Sequence, residues 1–220
     1  MAELDADTTA RYVYNSNRLD GLALSEEQTQ RALRGGYDPG DLLTGEDQKE
    51  YEPEVILGHE RALKGMLLMA GSATPVSHDT IRTLHRALMG ELLLSAGEYR
   101  ECTLRYKGLL IASPPQRLPE RMEWFVGLIN SGLKKSTDPH KLSWRIHHEF
   151  ITLHPFIEAN GRMARLLLNL VRLRRGLEMT IVPFENRDKY SRAIIEFQQQ
   201  KLQRDRERSA ASGEHPIPEA

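Results

Sequence analysis

The chain has 220 residues, of which 40% are hydrophobic and 28% charged, as expected for one globular domain or one domain with a small appendage. Its formal net charge of −1 gives no electrostatic reason to expect nucleic acid or a membrane surface as the main partner. The single cysteine, Cys102, excludes a disulfide framework and a cysteine-based zinc site.

The N-terminal residues are acidic and lack the basic-then-apolar layout of a signal peptide, and no apolar run approaches the ~20 residues that cross a bilayer. We therefore expect a cytoplasmic protein. The pattern divides the chain into an N-terminal segment (1–50), a main domain (51–203) and a mobile polar tail (204–220).

Apolar residues recur at helical spacing along the main domain, which predicts an all-α fold. The segment 77–80 can cap a helix start, the segment 136–139 begins another helix, and Gly176 marks a helix end. The predicted helices cover 52–70, a stretch following residue 77, 118–133, 139–153, 160–175 and 186 to about 203.

Residues 100–115 depart from the helical period and predict a short β-hairpin flap. Two strands alone are marginally stable, so this hairpin must lean on the helices or keep a partly open edge. Its centre is formed by Lys107, Gly108, Leu109, Leu110 and Ile111.

The most informative stretch begins at His154, between two predicted helices. With an ordinary pKa of ~6.5, this histidine can accept a proton near neutral pH. Glu158 is a hard oxygen ligand of the kind that Mg²⁺ prefers. Each residue alone also has a structural explanation, as a packed histidine and as a first-turn acid.

The residues after Glu158 favour an anion site. A helix N-terminus behind a tight turn attracts phosphate through its unpaired N–H groups and its dipole. Asn160 and Gly161 supply the turn and an unhindered N–H, while Arg162 and Arg165 share one helix face. Together with the histidine and the acid, they predict phosphate chemistry.

The stretch H-P-F-I-E-A-N-G-R-M-A-R resembles the signature of the Fic family, H-x-F-x-(D/E)-G-N-G-R-x-x-R, and departs from it only at Ala159. A Cβ at that position costs on the order of 1 kcal/mol if the turn is left-handed. The resemblance covers about 52–200. It implies a Fic catalytic domain over 51–203 that binds ATP with Mg²⁺ or Mn²⁺ and transfers AMP to a hydroxyl of a target protein or of the protein itself.

The resemblance also implies a role for each matching residue. His154 would take the proton from the hydroxyl, and Phe156 would anchor the loop in the core. The flap residues 107–111 would align the target by strand addition. The remaining roles are Mg²⁺ binding for Glu158, completion of the anion nest for Asn160 and Gly161, and contact with the β- and γ-phosphates for Arg162 and Arg165, respectively.

A second resemblance lies near the N-terminus. Ser16 to Gly21 is similar to the family's inhibitory motif, (S/T)-x-x-x-E-(G/N), with Asp20 where the family has glutamate. The resemblance implies that Asp20 pairs with Arg165 and blocks the γ-phosphate position. Because aspartate is one methylene shorter, we expect a longer or weaker pair, or one re-formed by a small helix shift. The alternative is an ordinary helix end capped by Gly21.

Several other functions stay open at this point. A zinc hydrolase would use His147, His148, Glu149 and His154, but the H-E-x-x-H spacing is absent. Relatives that phosphorylate carry lysine in place of Arg162, so the arginine favours AMP transfer. Transfer of another nucleotide, removal of AMP, and a catalytically silent nucleotide-binding or toxin–antitoxin module are the remaining alternatives, and a homodimer stays open.

Overall fold

The computed structural model describes residues 4–38, 40–104 and 113–212, with side chains through residue 207. The helices and strands are α1 (Ala6–Leu19), α2 (Glu26–Leu33), β1 (Leu43–Thr44), β2 (Glu50–Tyr51), α3 (Glu54–Ala70), α4 (His78–Met89), α5 (Leu118–Lys135), α6 (Pro139–Leu153), α7 (Asn160–Arg174) and α8 (Arg187–Ser212). Short 3₁₀ turns, Pro115–Arg117 and Phe184–Asn186, precede α5 and α8.

Local capping explains where several helices begin. The Asp5 carboxylate accepts from the N–H of Thr8 at the start of α1, at 2.7 Å. Ser77 forms a capping box with Thr80 at the start of α4. At α6 the carboxylate of Asp138 accepts a backbone N–H, and Pro139 occupies a first-turn position where its missing N–H costs nothing.

The core is built around α7, which packs against α6, α3, α1 and α5. Its leucines at 166, 167, 168 and 170 are fully buried. A helix that is buried on most sides must also bury the polar side chains it carries, and those need partners. The N-terminal turn of α7 therefore brings Arg162 and Arg165 into the interior of the bundle.

The predicted all-α fold class is confirmed, and the predicted helices match α3 to α7 apart from a few residues at their ends, as well as the start of α8. The sheet that the structure describes is one the sequence did not predict: β1 and β2 pair antiparallel, with Leu43 opposite Tyr51. The predicted flap residues 107–111 lie outside the described residues.

The C-terminal part of the prediction needs a correction. Helix α8 does not end near residue 203 but continues to Ser212, so 204–212 is helical. The prediction ended the helix too early because this stretch is polar. A polar stretch can nevertheless extend a helix that is already nucleated and packed. Over the described ranges, none of the helices is long and apolar enough to cross a membrane.

Candidate functional site

The site lies in the turn between α6 and α7. His154 and Ala159 both have left-handed backbones, with φ of 47° and 61°. The cost that the sequence anticipated at Ala159 therefore applies. The Asn160 amide offsets it, since it donates to the Phe156 carbonyl at 2.8 Å and accepts from the Phe156 N–H at 3.0 Å. Phe156 is fully buried and anchors this loop, as predicted.

His85, on α4, supports the same loop and was not predicted. Its ring stacks on Phe156 with centroids 3.7 Å apart. The Gly97 N–H donates to Nδ1 of His85 at 2.8 Å, so Nε2 carries the proton and donates to the carbonyl of Glu158 at 3.2 Å. His85 thus holds the backbone of the predicted metal ligand.

His154 is held as a neutral imidazole. Its Nδ1 lies 3.3 Å from the carbonyl of Ile151, which can only accept, so the basic lone pair is on Nε2. Burial lowers the pKa of His154 to about 4, and the positive charge of Arg100 acts in the same direction. Burial is therefore the main reason why His154 is neutral near pH 7.

Four other histidines share this low basicity, which predicts loss of stability in acid. Burial lowers the pKa of His59, His85, His147 and His148 as well. As pH falls below ~6.5, these histidines bind protons in the unfolded chain but not in the folded protein. The free energy of unfolding should then drop by up to about 1.4 kcal/mol per histidine and pH unit.

Urea unfolding at about pH 7.5 and about pH 5.5 measures this effect. The midpoint should fall markedly at the lower pH. An equal midpoint at both values would show that these histidines are protonated in the folded state.

An anion already lies at the N-terminus of α7: the carboxylate of Asp20, at the end of α1. It accepts from Nη2 of Arg165 at 2.6 Å, and from the backbone N–H and Nε of Arg162 at 3.3 Å each. A Cβ on Gly161 would collide with this carboxylate, so only glycine allows the approach. Burial alone would raise the pKa of Asp20, but the two arginines hold it below its ordinary value.

Arg165 is enclosed by the predicted N-terminal motif. Its Nε donates to the Ser16 hydroxyl and its Nη2 to the Ser16 carbonyl, both at 2.7 Å. Gly21 follows with φ of 86° and ends α1. The structure therefore brings Asp20 onto Arg165 as predicted, and it adds the two contacts with Ser16, which were not predicted. The pair is not lengthened by the shorter aspartate, and Asp20 reaches Arg162 as well, which the sequence did not indicate.

Arg162 has a hydrogen-bond donor that is available to a ligand. Its side chain is 7% exposed. Among the described residues, its buried Nη1 has no hydrogen-bond partner. A buried guanidinium N–H without an acceptor is costly, so this atom fits a site that completes its bonding with a ligand oxygen.

Tyr190 and His147 extend the network around Arg165, and neither role was predicted. Nη1 of Arg165 donates to the Tyr190 hydroxyl at 3.0 Å. Because a guanidinium only donates, the hydroxyl proton goes to Nε2 of His147, 2.7 Å away. His147 is thus a supporting acceptor rather than a zinc ligand. No local sequence pattern reveals this, since Tyr190 comes from α8.

Glu158 could hold a metal ion at this site. Throughout 4–38, 40–104 and 113–212, no three His, Cys, Asp or Glu side chains group to hold an ion. Glu158, however, is exposed just before α7, close enough for its charge to act on Arg162. Mg²⁺ often takes only one or two carboxylates and completes its shell with phosphate and water, so Glu158 suits it.

Comparisons with known proteins agree with this geometry. Residues 75–171 match the model of the Fic/DOC family. The protein adenylyltransferase fic-1 of Caenorhabditis elegans is 30% identical over 187 residues, which are 84% of this chain but 35% of that protein. The chain thus spans about a third of the length of this curated relative.

Two solved structures have a similar fold. A Fic-domain-containing signalling protein from Bacteroides thetaiotaomicron aligns with a TM-score of 0.73 and 27% identity, over 86% of this chain and 71% of that one. Fic-1 from Caenorhabditis elegans aligns with a TM-score of 0.69 and 27% identity, over 93% of this chain and 64% of that one.

Proposed function

We propose that this chain, whose residues 75–171 match the model of the Fic/DOC family, is a member of that family and a protein adenylyltransferase. The observation that carries the proposal is a neutral, buried His154 beside an anion site at the N-terminus of α7. The adenylyltransferase name of the relative from Caenorhabditis elegans supports the same reaction.

In this reaction a Ser, Thr or Tyr hydroxyl of a target attacks the α-phosphorus of ATP. A new oxygen–phosphorus bond forms, the bond to the β-phosphate oxygen breaks, and pyrophosphate leaves. Nε2 of His154 receives the hydroxyl proton. Arg162 and Arg165 stabilise the phosphate charge from fixed positions, which is the main catalytic contribution expected in phosphoryl-type transfer. A Mg²⁺ ion bound through Glu158 would neutralise phosphate charge.

We further propose that α1 inhibits the enzyme in this arrangement. The Asp20 carboxylate lies where a phosphate would bind, between Arg165 and the N–H of Arg162. Two anions cannot share that position, because their charges repel and the space beside Gly161 is already filled. Productive binding of ATP phosphates therefore requires that Asp20 leave.

Transfer from ATP labelled on the α-phosphate, compared with ATP labelled on the γ-phosphate, tests the proposed reaction. With Mg²⁺ and cell lysate, the enzyme should raise incorporation of the α-label into protein above the level in lysate alone and should not raise that of the γ-label. Mass spectrometry then identifies the added AMP and the modified residue, including any on the enzyme itself. Incorporation of the γ-label would instead indicate phosphorylation, and incorporation of neither label by any variant would favour a silent binding module.

A further inference from the structure

Arg100 lies in the connection between α4 and α5 and is 3% exposed. Its Nε donates to the carbonyl of His154 at 2.7 Å, and its Nη1 to the carbonyl of Cys102 at 2.7 Å. Nη2 donates to the carbonyl of Ser113 and, at 3.5 Å, to that of Leu153. Its own backbone N–H donates to the carbonyl of Pro155 at 2.9 Å.

Most of these contacts are made with backbone atoms at or next to His154, and that backbone sets the direction of the His154 ring. Leu153 is the last residue of α6, and carbonyls at a helix C-terminus lack partners within the helix. A cation at that end also interacts favourably with the helix dipole. The left-handed backbone of His154 turns its carbonyl towards Arg100, so the guanidinium stabilises a conformation that a histidine rarely adopts.

The other two carbonyl acceptors of Arg100 belong to a different part of the chain. Cys102 and Ser113 lie on either side of residues 105–112 in the chain and are far from α6 in sequence. One planar guanidinium binds both of their carbonyls together with that of His154. Because its donors are held in a rigid fork, their relative positions are set by a single side chain.

We propose that Arg100 is a positioning residue for the transfer reaction, which fixes the backbone of His154 to Cys102 and Ser113 as one rigid unit. The inference rests on the proposed function for its effect on rate, but the geometry also predicts an effect on His154 that does not involve catalysis. Lysine and glutamine separate the two contributions, since lysine keeps the charge without the fork and glutamine loses both.

The first experiment follows the His154 ring by NMR across pH, with no nucleotide present. In Arg100→Gln the pKa of His154 should rise towards its ordinary value, because the positive charge that helps to lower it is gone. In Arg100→Lys it should stay near the wild-type value. The matched control is Arg175→Gln, which removes a guanidinium that binds carbonyls of Gly132, Leu133 and Ser136 away from the site.

The second experiment measures AMP incorporation into lysate proteins in an Asp20→Gly background. Both Arg100 variants should lower the maximal rate by about 10- to 100-fold, as expected for a misplaced base. The apparent KM for ATP should change by less than about twofold, since Arg162 and Arg165 are untouched. Arg175→Gln should leave both values unchanged.

The outcomes distinguish the two proposals. If the ring titration moves as stated but no variant transfers AMP, the proximity of the Arg100 charge to His154 stands, while the proposed function and the effect of Arg100 on the rate both fail. Wild-type titration and wild-type rates in Arg100→Gln would overturn the positioning role. Should Arg100→Gln not fold, Arg100→Lys decides: a reduced maximal rate with an unchanged His154 titration supports the inference, and a wild-type rate contradicts it.

Discussion

Replacing Asp20 with glycine should raise the initial rate of AMP incorporation by about 10- to 150-fold, which corresponds to release of about 1.5–3 kcal/mol of coupling. The substitution removes the anion from Arg165 and from the N–H of Arg162. Both groups then become available to the phosphates of ATP. The rate of labelled AMP transfer by wild type and variant, at the same ATP concentration, measures the effect.

Asp20→Asn tests the role of the charge more directly, because it keeps the shape of the side chain and removes only its charge. It should activate the enzyme too, though less than Asp20→Gly, since an amide oxygen can still accept from Arg165. The control is Asp205→Asn, which neutralises an exposed carboxylate on α8. Equal rates in wild type and both Asp20 variants would contradict inhibition by α1.

Replacing His154 with alanine should lower the rate of AMP transfer by about 10²- to 10⁴-fold, the range expected when a general base is removed. Binding of ATP should persist, because the phosphate contacts belong to Arg162, Arg165 and the N-terminus of α7. Calorimetry with ATP, together with the incorporation assay, separates binding from chemistry. An Asp20→Gly background makes the loss of rate measurable.

The matched control is His140→Ala, an exposed histidine in the first turn of the same helix, α6. It should retain full activity. Substantial transfer by His154→Ala would mean that the hydroxyl loses its proton elsewhere, and the role proposed for the neutral Nε2 would then be wrong.

Local patterns were enough to predict the helices of the main domain and the residues of the α6–α7 turn. Helix periodicity and capping depend on residues three or four apart, so Ser77, Asp138 and the leucines of α7 reveal them directly. Proximity in sequence also places His154, Asn160 and Arg165 around one turn. The end of α8 was missed because a polar composition does not show how far a helix continues.

The resemblance of Ser16 to Gly21 to a known motif anticipated a contact that local spacing could not supply. Even so, it implied only the pair between Asp20 and Arg165. The second contact, with the backbone N–H of Arg162, depends on how closely α1 approaches the first turn of α7 beside Gly161. That distance follows from the packing of two helices far apart in the chain.

The sequence by itself therefore determined the chemistry available at the turn: a histidine, a carboxylate and two arginines at a helix N-terminus. The tertiary structure decided what holds those groups in place. Asp20 binds both arginines, Tyr190 binds Arg165, and Arg100 binds the backbone of His154. The physical reason is that these bonds join residues from different elements. Their geometry follows from the packing of the whole bundle, which no spacing within a single helix encodes.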